Sequence, residues 1–250
     1  MTDEQVLMGR LRDLAKRAYE KNIYTYSSFL SLPEQSILDG MAKELSFIPY
    51  ELFGGHEMAE RKVVGFGSEE LFGYPGRFPA TMLKVTPALE KFGEELNHRD
   101  YLGSLMNLGI RRDTIGDILV KGKTGFIFCL DEVSEFIREN LVKIRHTQVS
   151  CEIIEDDIEL KPTLIDESYP VSSMRLDVII AATCNLSRKE ALGFFEKNEV
   201  QLNSRVTTEN AVNLKPGDVF SVRGKGKFIL ESIGGTTKRG RTYINVKRYQ

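Results

Sequence analysis

The sequence predicts an α+β protein of several small domains. A mainly helical N-terminal domain is expected over residues 1–75, a central β-α-β-β-α-β domain over 76–155, and a mixed C-terminal domain over 171–250. Three observations carry this reading. Apolar residues recur at helical spacing near the N-terminus. Strand-like and helix-like segments then follow one another in the stated order. Charge is divided unevenly: from residue 170 onward 14 Lys+Arg stand against 7 Asp+Glu, whereas the preceding 169 residues hold 20 against 29. A basic terminal module on an acidic body suits a nucleic-acid-binding unit attached to something else.

Val6, Leu7, Leu11, Leu14, Ala15 and Ala18 form the stripe of a first helix. A second is expected from Pro33 to Leu45, with Ile37, Leu38, Met41 and Leu45 inward, and a strand from Lys62 to Phe66. In the central segment "ATMLKVTP" reads as a strand, and a helical region broken near Asn97 follows. "GDILVKGKTGFIFCL" reads as two strands joined by a tight turn, and "DEVSEFIRENLVKI" as an amphipathic helix with Val133, Phe136, Ile137 and Ile144 inward. "TQVSCEII" is the closing strand. This is the ferredoxin-like order, a fold that hosts RNA binders, enzymes and regulatory domains alike and so assigns no function. Clustered acids with Pro162 and Pro170 mark residues 156–170 as a linker. The C-terminal domain should hold a short helix from Met174 to Thr183, a second helix from Ser187, strands at "EVQLN" and "DVFSVRG", and a hairpin of "KFILESI" and "TYINVKRY". Lys215-Pro216-Gly217-Asp218 has Pro and Gly in the positions of a type II turn.

Most catalytic and metal-binding patterns fail on spacing. Between Gly116 and Gly122 lie five residues, one more than a phosphate-cradling P-loop has, and they read as a strand. "VVGFGSEE" puts Glu70 where a dinucleotide fingerprint needs its third glycine. His56, His98 and His146 are far apart in sequence, and Cys129, Cys151 and Cys184 have neither disulfide nor metal spacing. No Ser or Cys has a triad context. The expectation is therefore no catalytic residue, no metal and no cofactor. The acidic start MTDEQ lacks the features of a signal peptide, and no apolar run approaches the ~20 residues of a membrane span. A cytoplasmic monomer is expected, with neither a membrane nor a small-molecule substrate as partner.

One feature of the second C-terminal helix is anomalous. Ser187 and Glu190 form a capping box, so the helix begins with Arg188 and Lys189. A helix start is its positive end, where a cation is disfavoured by roughly 0.3–1 kcal/mol. Two cations there make sense if a phosphate docks between them and the exposed N–H groups. Other basic residues cluster similarly: Arg175 at the preceding helix start, Arg205 in the turn after the first strand, Arg223, Lys225 and Lys227 alternating with glycines, and Lys238, Arg239 and Arg241 at the hairpin tip. Together they point to nucleic-acid binding. A second RNA surface is expected on the central domain through Arg99, Arg111, Arg112, Lys121 and Lys123. Replacing Arg188 and Lys189 by alanine should weaken RNA binding and leave the helix intact.

"SSMRLDVIIAATCNLSRKEALGFFEKNEVQLN" followed by "LKPGDVFSVRGKGKF" resembles the S4 RNA-binding domain, found in a small-subunit ribosomal protein, tyrosyl-tRNA synthetases and pseudouridine synthases. The resemblance rests on Arg175-Leu176-Asp177, Ser187-Arg188 with Ala191, Val200 with Asn203, and Lys215 to Asp218 with Val222-Arg223-Gly224. Asn198 departs from it, standing where many members have Gly. Upstream, "FLSLPEQ", "GGHEMAERKVV" and "HRDYLGSLMNLGIRRDTIGDILV" resemble the YlmH family of bacterial RNA-binding proteins. That resemblance covers essentially the whole chain. It implies a non-enzymatic factor that binds rRNA and tRNA on the large ribosomal subunit in ribosome-associated quality control, supporting alanine tailing of stalled chains, with an older link to cell division. It also implies RNA contacts by Arg175, Arg188 and Lys189. The alternatives are an RNA-modifying enzyme targeted by its S4 domain, for which no catalytic context is found, and a protein-interaction adaptor in division.

Overall fold

The first helix is nucleated at Thr2, which accepts a hydrogen bond from the Gln5 N–H while the Gln5 side chain takes the Thr2 N–H. The computed structural model describes residues 2–56, 59–154, 164–203, 205–238 and 240–249. They divide into two units, residues 1–160 and 161–250.

In the first unit α1 (Asp3–Lys21) buries Leu11, Ala15 and Ala18, one helical face, and ends at Asn22 in the left-handed conformation. Strand β1 (Thr25–Tyr26) leads to α2 (Leu32–Gly40), which starts with Pro33 in its first turn. This helix stops short of the expected Leu45, although Met41 and Leu45 are still buried through the turns that follow. Strands β2 (Tyr50–Phe53) and β3 (Val63–Phe66) complete a small antiparallel sheet in the order β1-β3-β2, and the four-residue α3 (Glu69–Phe72) comes next. The expected mainly helical domain thus has a sheet at its centre.

The central segment adds β4 (Ala80–Pro87), α4 (His98–Asn107), β5 (Ile115–Lys121), β6 (Thr124–Leu130), α5 (Asp131–Asn140), β7 (Lys143–Ile144) and β8 (Thr147–Ile154). Its antiparallel sheet runs β5-β6-β4-β8-β7, the ferredoxin-like strand order with one short extra strand. Asn97 is the break in the helical region, because its side chain caps α4. α5 ends ten residues after its start, so Ile144 is buried from β7 and not from the helix, and Phe136 is exposed. The core joins this sheet to the preceding residues: Phe29 and Val63 pack with Met82, Phe126, Phe128 and Leu130. The boundary drawn at residue 75 therefore runs beside a shared core.

The second unit begins with a strand where a linker was expected. Residues 155–163 lie outside the described residues, but β9 (Leu164–Val171) pairs along its whole length with the last strand. The clustered acids and Pro170 concealed it, because this strand sits at a sheet edge where one face can stay polar. Next come α6 (Leu176–Thr183), α7 (Arg188–Glu196), β10 (Val200–Leu202), β11 (Arg205–Val206), β12 (Val219–Val222), β13 (Gly226–Thr236) and β14 (Thr242–Tyr249). The six strands are antiparallel in the order β11-β10-β12-β13-β14-β9. Leu176, Ile179, Ile180, Ala191 and Phe195 of the two helices cover Val200, Phe220, Phe228, Leu230, Ile244 and Val246 of the sheet. Asn198 has φ 56°, the left-handed turn that frees the chain from α7 into β10. Among the described residues no helix is long and apolar enough to cross a membrane.

Candidate nucleic-acid interface

The anomalous helix start has a structural partner. Asp177, in the first turn of α6, is fully buried, and its carboxylate is shared by two arginines. Arg175 reaches it with Nε and a terminal nitrogen at 3.0 and 3.1 Å, and Arg188 from the start of α7 with Nε at 3.0 Å. Burial pushes the Asp177 carboxyl up, but the hydrogen bonds and charges of the two guanidinium groups outweigh it and hold the pKa below its ordinary value. The arginines are only partly covered, with 36% of the Arg175 side chain and 59% of Arg188 exposed. Arg175 also donates to the Asn210 side-chain oxygen at 3.4 Å, and the exposed part of both guanidinium groups has the planar fork that matches phosphate. Arg188 is thus stabilised against the helix dipole by Asp177, whereas Lys189 beside it is fully at the surface.

The two helix starts differ in what occupies their backbone. The first N–H groups of α6 are taken: Leu176 donates to the Val212 carbonyl at 2.8 Å and Asp177 to Asn210 at 3.1 Å. At α7 the capping box forms as the sequence indicated, with Ser187 accepting from the Glu190 N–H and Glu190 accepting from the Ser187 N–H. A phosphate among these residues would therefore meet side chains at α6, and side chains together with the helix end at α7.

Other predicted residues fall around this pair or away from it. Lys225 is exposed; its charge adds to the Ser187 hydrogen bonds that lower the Glu190 pKa, and it partly offsets the burial that raises the Cys184 thiol. Arg223 is exposed beside Glu199, at 3.8 Å. Lys227 lies over the Tyr249 ring at 4.9 Å, a cation–π contact. Arg205 lies in β11 and not in a turn. Lys238 and Arg241 are exposed at the hairpin tip, and Arg239 lies outside the described residues. Strands rise about 3.3 Å per residue, so the tip is roughly 30 Å from Lys225 at the other end of the β13–β14 hairpin. Lys225 and the cations of the tip therefore do not form one group.

Two motif elements have structural work. Asn203, with φ 48°, donates to the Asp218 carboxylate at 2.9 Å and accepts from the Val219 N–H at 2.9 Å. Asp218 also takes the Lys215 N–H at 2.7 Å, which closes the turn whose Gly217 has φ 95°. Sequence reading missed Arg248. It shares the sheet face of Ile244 and Val246 by strand alternation, stacks over Phe228 at 5.9 Å, and contributes charge beside Cys184. The period-2 pattern of "TYINVKRY" held that information.

On the central segment the five candidates divide. Arg99 and Lys121 are exposed. Arg111 pairs with Asp113 at 3.2 Å, and Lys123 donates to the Glu90 carbonyl at 2.9 Å. Arg112 is turned inward, donating to the Ile115 carbonyl at 2.6 Å. Burial, reinforced by neighbouring Arg61, lowers its pKa to about 10, so it remains charged at neutral pH. Among the described residues no group of three or more His, Cys, Asp or Glu side chains is placed to hold a metal ion.

Known proteins show what the chain resembles. Residues 77–157, spanning the ferredoxin-like segment, match the model described as "Putative RNA-binding domain in YlmH". The ribosome-associated protein quality control protein P2 of Bacillus subtilis (strain 168) is 25% identical over 248 residues, which cover 98% of this chain and 95% of that protein. The chain resembles the YlmH family along nearly its whole length. A solved YlmH structure, the cell division protein ylmH from Streptococcus pneumoniae, aligns with 62% of this chain and 92% of its own, with a TM-score of 0.49 and 19% identity. Within residues 77–157, the part similar to that model, Arg99, Arg111 and Lys121 are the exposed candidates.

Proposed function

We propose that this chain is a YlmH-type, non-enzymatic factor that binds rRNA and tRNA on the large ribosomal subunit and serves ribosome-associated quality control, where alanine is added to stalled chains. The observation that carries the reading is the Asp177 clamp, which sets two half-exposed guanidinium groups from neighbouring helix starts on one surface. Lys189 and Lys225 extend that surface, and an S4-type role for the second unit accounts for their placement. The second RNA surface lies on the central segment. The likeness to the Bacillus protein named for ribosome-associated quality control supports the assignment to that process.

On this reading the protein supplies phosphate contacts and shape to the RNA. Contacts of this kind give salt-dependent, largely sequence-tolerant binding to structured RNA. Sedimentation of the native protein through a sucrose gradient, with and without RNase, tests the reading. Wild type should travel with large subunits, RNase should release it, and Lys189→Ala should move part of it to the top. Wild-type protein that stays at the top would exclude a stable ribosomal complex, and RNase-resistant sedimentation with another protein would favour the adaptor.

A further inference from the structure

One face of the N-terminal sheet takes no part in the interface above. Six aromatic side chains are joined there in one cluster. Tyr24 lies parallel to Tyr26, with centroids 6.3 Å apart, and meets Phe72 and Tyr74 edge-on at 5.1 and 5.4 Å. Tyr26 continues to Phe78 at 5.3 Å, and Phe78 to Phe53 at 4.9 Å. Phe53 and Tyr74 remain 37% and 44% exposed.

Bare backbone makes room for these rings. Tyr26, Gly65 and Glu51 stand side by side across β1, β3 and β2. A Cβ on Gly65 would lie 2.8 Å from the Tyr26 ring and 2.9 Å from Phe78, and one on Gly76 would lie 2.5 Å from the Tyr24 ring. The result is a groove of about 320 Å³ with Tyr24, Tyr26, Tyr50, Phe78 and Pro49 along it. Its charged lining residues are Glu51, Glu69 and Glu70, all exposed carboxylates. The Tyr24 hydroxyl feels that field: burial raises its pKa first, and Glu69 and Glu70 add to the rise.

The chemistry of this surface selects its ligand. Carboxylates repel a phosphate chain, and aromatic grooves that stack single-stranded bases are cationic. Extended polyproline segments dock into aromatic-lined grooves because they are pre-ordered and present flat apolar rings. A negative rim adds selection for Lys and Arg beside the prolines. We propose that this groove docks an extended, proline-containing segment rich in Lys or Arg from a partner protein.

Fluorescence anisotropy on the full chain tests this, with a labelled Pro-Pro-Arg repeat peptide as probe and a Pro-Pro-Glu repeat of equal length as control. The arginine peptide should saturate and the glutamate peptide should not. The Glu51→Gln, Glu69→Gln, Glu70→Gln triple variant should weaken binding on the order of tenfold. Glu51→Gln alone, outside the short α3, should weaken it severalfold should the triple variant loosen that turn. Hydrogen exchange should show the peptide protecting residues 50–53 and 63–76. No saturable binding, equal binding of the two peptides, or unchanged affinity in both variants overturns the proposal. So does protection of the same amides by a single-stranded RNA, which would give the groove to nucleic acid.

Discussion

Asp117 and Asp177 each sit among arginines, and the two arrangements end differently. Asp117 accepts the backbone N–H groups of Glu60 and Arg61 at 2.7 and 3.1 Å and faces His56 Nε2 at 3.3 Å. Around it the guanidinium of Arg61 turns to the carbonyls of Ile115 and Phe29, and that of Arg112 to Ile115. These cations fasten one chain segment to another. At Asp177 the carboxylate is the more buried member, and the guanidinium groups extend from it into solvent. The same ion chemistry is turned inward for cohesion in one unit and outward, to the surface proposed to meet RNA, in the other. An arginine's role is set by what covers its donors, which residue type alone does not reveal.

Breaking the inward arrangement should have the largest effect. Asp117→Ala removes the acceptor of two backbone N–H groups among buried cations, and a loss of about 3–5 kcal/mol is expected. Hydrogen exchange of residues 59–154 should show it, while amides of the second unit keep their protection. Next comes Asp177→Asn, which leaves two arginines without their carboxylate and should cost about 1–3 kcal/mol at neutral pH. Because the folded pKa of Asp177 lies below its unfolded value, its stabilisation is fully present above roughly pH 4 and is lost as pH falls through the folded pKa. The wild-type advantage over Asp177→Asn in urea should therefore shrink on acidification and not grow.

Arg188→Ala and Lys189→Ala sharpen the comparison by separating two neighbours that the sequence treated as one pair. Arg188→Ala should lose about 1 kcal/mol as well as RNA affinity, because it abandons Asp177. This revises the expectation that the helix would be untouched. Lys189→Ala should leave stability within about 0.5 kcal/mol and reduce the salt slope of log affinity by about 0.7–0.9. An equal stability loss in both variants would mean that Asp177 does not hold Arg188 more firmly than water holds Lys189. The smallest effect belongs to Lys238→Ala with Arg241→Ala, whose stability should match wild type within about 0.5 kcal/mol. If their salt slope is also unchanged while that of Lys189→Ala falls, the hairpin tip is outside the RNA footprint.

Much of the second unit was legible because its signals are local. The capping box at Ser187 and the turn at Pro216-Gly217 each act within a few residues, and each stands where the sequence put it. The helix-dipole anomaly was legible too, but its partner was not. Asp177 lies 11 residues from Arg188, and only packing of α6 on α7 brings them together. Strand β9 was missed because an edge strand with acids lacks the alternation that a covered one shows. Arg112 was misplaced for a related reason: "RRD" reads as surface charge, and only the tertiary fold turns one of its arginines inward. For the candidate site, sequence therefore named most of the cations but could not say which were already engaged.

The pairing of β9 with β14 has a practical consequence for anyone dissecting this chain. Cutting at residue 171, where the sequence places the domain start, would strip β14 of its neighbour from Thr242 to Tyr249. Eight residues rich in Val, Ile and Tyr would then present open backbone donors and acceptors, a template for association with further copies. A fragment meant to act alone must keep Leu164–Val171. Aggregation of a shorter fragment would report the missing strand and not a failure of the RNA-binding surface.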